Sequence, residues 1–249
     1  MRKILVVFIF LFTSIYLSAN IKITSYFEAE KSDTLRITTV HYSKSLPDSS
    51  AYINIDYPQI TGLENKVIEE KVNSYLKDEF SQSILWYDEL VSDTTGFSED
   101  GYDYTYSFET GFEVQYNSVN FLSIILDHYQ FTGGAHGNYF STGYNIDMRN
   151  GKTLKLTDII NNDSFDLLSY ECEQAILDTF QVGSLVEAGL FEDELVILPD
   201  QDFYIIPGAL VLQFDPYEIA PYAMGEINVA IPFYKIKDIL KPNLPFPTK

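Results

Sequence analysis

The stretch "NFLSIILDHYQFTGGAHGNYFSTGYNIDMRNG", residues 120–151, decides the fold. Residues 120–131 and 139–148 are rich in β-branched and aromatic side chains, which predicts two strands. Gly133, Gly134 and Gly137 permit positive φ angles, so they allow a tight reversal between these strands. Asn150 and Gly151 then form a type I′ hairpin signal before "KTLKL". The stretch therefore predicts an antiparallel meander.

Further strands are predicted on both sides of this meander. Residues 34–42 and 50–60 alternate polar with apolar side chains around the turn "LPDSS", and residues 102–118 supply another long strand. The composition of residues 94–101 is typical of a loop. Towards the end of the chain, residues 202–214 and 225–233 return to strand patterns.

Two main helices interrupt the strands. Apolar residues recur at helical spacing over 63–80, where Thr61 and Glu64 fit a capping box, and this helix is predicted to continue towards Trp86 in the core. The second helix is predicted from Ser164 to Phe180, with Cys172 as a small buried hydrophobe. A short helix is expected near 234–240. Strands in runs with separated helices indicate an α+β fold, with antiparallel sheets in two interlocked subdomains.

The charge of the chain excludes one class of partner. Its 36 acidic and 16 basic side chains give a formal charge of −20 at pH 7. Nucleic-acid phosphates would be repelled by such a surface. The negative charge either accelerates encounter with a cationic partner or only keeps the protein soluble.

The first 19 residues have the pattern of an export signal. Arg2 and Lys3 precede an apolar run, and the segment ends in small residues at Ala19. We expect cleavage after Ala19 and a periplasmic or extracellular protein; loss of Arg2 and Lys3 would bring the charge to −22. The alternative is an uncleaved membrane anchor, since the run approaches the ~20 residues that span a bilayer.

The usual catalytic motifs are missing from the sequence. It contains no H-E-x-x-H, no G-x-S-x-G and no phosphate-binding glycine fingerprint. His128 and His136 could meet across a hairpin, but no third ligand is evident, so neither a metal nor a cofactor is predicted. Asp200 and Asp202 could act as a glycosidase carboxylate pair, although such pairs arise by chance among 36 carboxylates.

Two loops are candidates for partner binding. The first comprises Gly133, Gly134, His136, Gly137 and Asn138, which could either recognise a partner group or only form a turn. In the second, Tyr217 and Tyr222 lie around two prolines in "PYEIAPYAMG". These tyrosines could contact a partner or hold the loop against a sheet.

Three stretches together resemble a known family. They are "YPQITGLENKVIEEKVNSYLKDEF" (57–80), "YQFTGGAHGNYFSTGYNIDMRNGKTLKLTDII" (129–160) and "FDPYEIAPYAMGEINVAIPF" (214–233). In this order they are similar to the paired DUF4163 and DUF3298 regions of RsiV-type anti-sigma factors and PdaC-type peptidoglycan deacetylases. The resemblance covers nearly the whole chain after the signal, with residues 20–148 DUF4163-like and residues 149–245 DUF3298-like.

The resemblance implies an α+β fold at the cell envelope. Its RsiV-like branch implies binding of lysozyme, a basic protein whose charge complements this chain. Only Met1 to Lys3 precede the apolar run, and no separate deacetylase domain follows, so we expect the non-catalytic module alone. The predicted function is therefore recognition of a lysozyme-like protein or a peptidoglycan-derived glycan. The alternatives are an envelope hydrolase that uses His136 or the Asp200 and Asp202 pair, and a structural role without a ligand.

Overall fold

The computed structural model of the protein describes residues 21–22, 34–47, 49–92 and 105–248. The predicted export signal, residues 1–19, and the predicted loop, residues 94–101, lie outside the described residues. No helix in the described part of the chain is long and apolar enough to cross a membrane.

The larger sheet has six strands in the spatial order β2-β3-β4-β5-β6-β7. The strands are β2 (Arg36–Ser45), β3 (Ala51–Thr61), β4 (Tyr106–Asn117), β5 (Phe121–Phe131), β6 (Asn138–Asp147) and β7 (Lys152–Thr153). The strands from β4 to β7 form the predicted antiparallel meander, and β2 is antiparallel to β3. The α+β prediction is confirmed.

One pair of strands in this sheet is parallel. β3 and β4 run side by side with Ala51 opposite Tyr106 and Ile55 opposite Thr110. A parallel pair requires a crossover connection, because the chain must return to the end from which it started. Here the connection contains two helices, α1 (Lys66–Phe80) and α2 (Gln82–Ser92).

The first helical region differs from its prediction at both ends. The capping prediction was wrong: Thr61 ends β3, opposite Arg36 of β2, and Asn65 caps α1 by accepting hydrogen bonds from the amides of Val67 and Ile68. The predicted continuous helix is interrupted at Ser81, the C-cap of α1, and α2 begins at the next residue.

Trp86 does not enter the core as predicted. It is 41% exposed on α2. Its ring packs edge-on against His128 and Phe140 at the rim of the large sheet. α2 presents Ser83 and Tyr87 as its buried side chains instead.

The smaller sheet has three antiparallel strands and a two-residue edge strand. The strands are β8 (Phe203–Ile206), β9 (Ala209–Phe214) and β10 (Ile227–Pro232), and β1 (Ile21–Lys22) pairs in parallel with β10. The helices of this half are α3 (Leu156–Ile159), α4 (Phe165–Phe180) and α5 (Phe233–Ile236). Cys172 of α4 is fully buried in the core, as predicted.

Two hydrophobic cores lie on the outer sides of the sheets. α1 and α2 cover one face of the large sheet, where Val72, Leu76 and Phe80 are buried. α4 covers one face of the small sheet. A smaller apolar cluster that includes Ile125 and Tyr204 joins the two sheets. The two subdomains therefore interlock, because β5 and β6 of the first pack against β8 of the second.

A buried hydrogen-bond bridge fixes the register between the sheets. The hydroxyl of Ser123 donates to Asn145 Oδ1 at 2.8 Å and accepts from the amide of Ile205 at 3.0 Å. Asn145 Nδ2 donates to the carbonyl oxygen of Phe203 at 2.8 Å. Ser123 and Asn145 are fully buried, so each of these polar groups is satisfied only while the sheets stay in register.

Gly143 allows this close approach. A Cβ at position 143 would lie 1.9 Å from the carbonyl oxygen of Phe203. We expect Gly143→Ala to destabilise the protein by about 3 kcal/mol or more, since a backbone neighbour cannot rotate away as a side chain can. Urea unfolding measures the change in free energy.

Gly111→Ala is the matched control for this prediction. Gly111 lies in β4 of the same sheet, and a Cβ there would meet nothing within 4 Å. Its free energy of unfolding should stay within about 1 kcal/mol of the wild-type value. Equal effects of the two substitutions would contradict the steric role of Gly143.

Candidate functional site

The glycine-rich loop between β5 and β6 turns as the sequence indicates, with one difference. Gly133 and Gly134 have φ angles of +94° and +92°, which favour glycine. Gly137 is not among the positive-φ residues, contrary to the prediction. It is glycine for another reason, because a Cβ there would lie 2.5 Å from the ring of Tyr129.

The two candidate loops meet in space. The ring of His136 stacks on Tyr222 with 4.3 Å between the centroids and 22° between the planes. Tyr222 donates its hydroxyl proton to the carbonyl oxygen of Gly137 at 2.8 Å. The same oxygen lies 2.9 Å from His136 Nδ1, which must carry its proton to donate there. His136 thus orders both loops.

Four rings form what we call the aromatic patch: His136, Tyr139, Tyr217 and Tyr222. Tyr139 and Tyr217 approach Tyr222 at 5.6 Å and 5.5 Å between centroids. Tyr222 is half-buried and packs, whereas Tyr217 is 60% exposed. The half-burial of Tyr222 thus fits a packing role, whereas the exposure of Tyr217 fits contact with a partner.

Tyr217 occupies an unusual backbone conformation. Its φ angle is +72°, and the amide of Glu218 donates to the carbonyl oxygen of Asp215 at 3.0 Å across the turn. With Pro216 before it, Tyr217 stands where a type II turn ordinarily takes glycine. A bulky residue in this region costs about 1–2 kcal/mol. The turn therefore holds an exposed aromatic ring in place against a conformational preference.

A groove of about 470 Å³ lies next to the aromatic patch, at the junction of the two subdomains. It runs across the face of the large sheet opposite α1 and α2, and β10 and the residue before it close one side. The carboxylates that line this acidic groove are Asp56, Glu109, Glu113, Asp127 and Glu226. Tyr129 and Tyr139 form aromatic walls and connect the groove with the patch. Within the described part of the chain, no Lys or Arg lines it.

Ser141 is the polar centre of the groove. Its backbone amide donates to Asp215 Oδ1 at 3.1 Å. Its hydroxyl lies 2.9 Å from Asp127 Oδ1 and 2.6 Å from Glu226 Oε2. A serine hydroxyl has one proton, so it donates to only one carboxylate at a time.

Burial raises the pKa values of two further acids towards neutral pH. Desolvation, with the neighbouring Glu226, Asp202 and Glu218, raises the pKa of Asp215 to about 7, although the Ser141 amide acts in the opposite direction. Desolvation, Glu218 and Asp200 raise the pKa of Asp202 to about 6. Several carboxylates therefore lie close together at the end of β9, and too little positive charge is present there to compensate them.

His128 lies on the other face of the large sheet and apart from the candidate loops. It is buried, its Nδ1 lies 3.3 Å from Thr110 Oγ1, and its ring contacts Trp86 and Phe140. Burial lowers its pKa, and the adjacent Gln130 side chain opposes this in part. The structure does not bring His128 and His136 together. Among the described residues, no group of three or more His, Cys, Asp or Glu could hold a metal ion.

Among the described residues, no hydrogen bond, ion pair or ring contact joins His136 to Asp200 or Asp202. Asp202 neighbours Asp215 and Glu218, whereas the contacts of His136 are with Tyr222 and Gly137. Asn138, the last residue of the first candidate loop, is exposed where β6 begins. Among the contacts of the described residues, none supports a catalytic arrangement of His136 with this carboxylate pair.

Two family models match the chain in the expected order. The model described as "Deacetylase PdaC" matches residues 47–139, and the model described as "Protein of unknown function (DUF3298)" matches residues 157–234. The chain carries a PdaC domain followed by a DUF3298 domain. The matches lie inside the predicted regions 20–148 and 149–245, whose exact bounds stay a prediction.

Two proteins of Bacillus subtilis are similar in sequence to this chain. The chain is 27% identical over 213 residues to the anti-sigma-V factor RsiV of Bacillus subtilis, covering 82% of this chain and 70% of RsiV. It is also 27% identical over 141 residues to the peptidoglycan-N-acetylmuramic acid deacetylase PdaC of the same organism. That match covers 51% of this chain and 29% of PdaC.

Solved structures of DUF3298 family proteins share the fold. A member from Bacteroides fragilis superposes with a TM-score of 0.70 at 20% identity, covering 86% of this chain and 96% of the other. A member from Pseudomonas aeruginosa has a TM-score of 0.63 at 23% identity, with coverages of 87% and 99%.

Sequence reasoning missed the acidic groove. No sequence motif marks Ser141, Glu226 or Asn228 as site residues, because each lies inside a predicted strand or beside one. One signal was available: Glu109, Gly111 and Glu113 in β4 alternate onto the face opposite the apolar one. An acidic row on a sheet face is visible in the sequence, but the second sheet that turns this face into a groove is not.

The raised pKa of Asp215 makes stability depend on pH. Because the folded pKa of about 7 exceeds the unfolded value of about 4, the folded state binds more protons between these pH values. The contribution of this group to the free energy of unfolding therefore falls as pH rises from about 4 to about 7. We expect Asp215→Asn to flatten the pH profile of urea unfolding measured from pH 5 to pH 8.

Glu192→Gln controls for the loss of one negative charge, since Glu192 is exposed in the loop after α4. It should keep the wild-type pH slope. If Asp215→Asn also kept that slope, Asp215 would not hold its proton in the folded protein near neutral pH.

Proposed function

We propose that this protein is an exported, non-catalytic, envelope-associated module that binds a cationic protein such as lysozyme. The observation that carries the proposal is the single face on which the acidic groove adjoins the aromatic patch. PdaC is by name an enzyme of peptidoglycan, a component of the cell envelope, which supports the envelope setting. The predicted signal in residues 1–19 supports export.

The charges on this face suit a basic partner. Five carboxylates line the groove in a chain whose formal charge is −20. A cleft lined by one sign of charge concentrates its field and speeds encounter with the opposite charge. Complementary potentials also suppress binding of other acidic proteins. This electrostatic part of binding must weaken as salt is added.

The aromatic patch would supply the short-range part of binding. Tyrosine and tryptophan are enriched among interface residues that dominate binding energy. Tyr217 presents an exposed ring that the turn holds in position, so little conformational freedom is lost on contact. The ring of Tyr217 contacts Tyr222 but stays 60% exposed, so packing accounts poorly for its strained backbone, which favours a role in recognition.

A cell-wall glycan is the second candidate ligand. The exposed face of Tyr217 and the half-buried Tyr222 offer an apolar platform with hydroxyl groups at its edge. Polar groups in the adjoining groove could accept hydrogen bonds from sugar hydroxyls. This candidate predicts binding that changes little with salt, in contrast to a cationic protein.

The direct test measures binding of the purified protein to a basic lysozyme and to peptidoglycan sacculi at 50 mM and 300 mM NaCl. We expect saturable lysozyme binding that weakens at least tenfold at the higher salt concentration. Salt-independent binding to sacculi alone would favour the glycan. Binding to neither ligand would contradict the proposal.

Tyr217→Gly separates recognition from packing. Glycine accepts the φ angle of +72°, so the free energy of unfolding should stay within about 1 kcal/mol of the wild-type value. We expect lysozyme binding to weaken at least tenfold. Tyr234→Ala is the control, because Tyr234 is 70% exposed on α5 and is not part of the patch. Equal affinities of the two variants would exclude Tyr217 from the binding surface.

A further inference from the structure

One corner of the acidic groove holds buried polar groups that the fold leaves unsatisfied. Asn228 is 4% exposed and lines the groove. Its Nδ2 donates to Glu226 Oε1 at 2.5 Å, but within the described part of the chain its Oδ1 accepts no hydrogen bond. Buried polar atoms are nearly always paired in native proteins. An unpaired acceptor beside a carboxylate therefore calls for a donor from outside the fold.

The neighbouring strand repeats this pattern. Gln213 of β9 lies opposite Asn228 in the sheet register and is 1% exposed. Both polar atoms of its side chain also lack a partner among the described residues. Leaving buried polar groups unpaired is unfavourable, so this corner lowers the stability of the protein. Sites that trade stability for ligand binding have this character.

The acceptors in this corner share one chemistry. Glu226 and Ser141 are 9% and 4% exposed, and their oxygens lie 2.6 Å apart with a single serine proton available. Asp127 contacts the same serine hydroxyl, and Asp215 contacts its amide. Carboxylate, hydroxyl and amide oxygens converge here, and a ligand that supplies several N–H donors with positive charge would satisfy them together.

We propose that Ser141, Glu226 and Asn228 form a cradle for one organic ammonium or guanidinium group. The source would be a lysine or arginine side chain of the partner protein, so this assignment rests on the proposed function and names its central contact. Tyr139 stands beside the cradle and can cover the aliphatic part of such a side chain.

Proton release is a further expected signature. An ammonium or guanidinium group that donates hydrogen bonds to both carboxylates supplies the donor that Ser141 cannot give to the second one. Asp215 contacts the Ser141 amide and has a pKa of about 7, so a bound cation should favour its ionised form; binding at pH 6.5 should release a fraction of a proton, and the release should disappear above pH 8. The ionisable groups that face the cradle are Glu113 on β4, Asp127 on β5, Tyr139 on β6, Tyr204 on β8, Asp215 after β9 and Glu226 before β10.

The test uses Nα-acetyl-lysinamide and Nα-acetyl-argininamide as probes, with acetyl-glutaminamide as the uncharged control. Titrations followed by NMR should give saturable shifts of the Asn228 side-chain amide and the Ser141 backbone amide with the charged probes only. Calorimetry in two buffers of different ionisation enthalpy measures the released proton. Shifts that are absent, or equal for the uncharged probe, would overturn the proposal.

Two substitutions sharpen this test. Glu226→Gln keeps the shape of the side chain and should weaken probe binding at least tenfold. Asn228→Leu removes the unpaired acceptor and should also weaken binding tenfold. It should lower the stability as well, because Glu226 Oε1 loses its donor. Glu192→Gln carries the same charge change as Glu226→Gln outside the groove and should bind as the wild type does. Unchanged binding by both cradle variants would overturn the assignment.

The outcomes for the cradle and for the proposed function are separable. Lysozyme binding that persists in Glu226→Gln and Asn228→Leu would leave the proposed function intact and remove the cradle from it. Probe binding without lysozyme binding would retain the cradle and exclude lysozyme. A calcium titration is the last arm: if Ca²⁺ shifts the same amides while neither charged probe does, the site takes an inorganic cation and the proposal fails.

Discussion

The bridge of Ser123, Asn145 and the backbone of β8 is the interaction on which the rest of the structure depends. Its polar groups are fully buried between the two sheets, where an unsatisfied donor or acceptor has no access to solvent. Gly143 permits the approach that these bonds require. Because the bridge fixes how β6 meets β8, it also fixes where the strands that follow β8 lie against the large sheet.

The acidic groove is a consequence of that fixed junction. Ser141 precedes Gly143 by two residues on β6 and therefore points to the same side of the sheet. The junction places Glu226 and Asn228 against it, from a strand more than 80 residues later in the chain. The bridge, whose polar groups are hydrogen-bonded, thus lies next to a corner of the groove where buried polar atoms of the described residues have no partner. The bridge stabilises the junction, and the corner is where we propose that a ligand binds, a division that is common in binding proteins.

The accuracy of the sequence predictions depended on how local each feature is. The strands of the meander and α4 were correct, because side-chain alternation and helical spacing act between near neighbours. The capping prediction failed since pairing with β2 holds Thr61 in β3, and the capping role passes to Asn65. The parallel pairing of β3 with β4 could not be seen, because the crossover through α1 and α2 decides it. The candidate loops were recognised from composition, but their contact through His136 and Tyr222 was not.

The sequence by itself determined the kinds of elements, the acidic character, the expected export signal and the domain family of this protein. These follow from composition and from short-range patterns that survive without knowledge of the fold. Only the tertiary structure decided that an acidic row on β4 and β5 becomes a groove, and that Ser141, Glu226 and Asn228 share one corner of it. The physical reason is that alternation along a strand assigns a side chain to a face, whereas the packing of two sheets decides what that face meets.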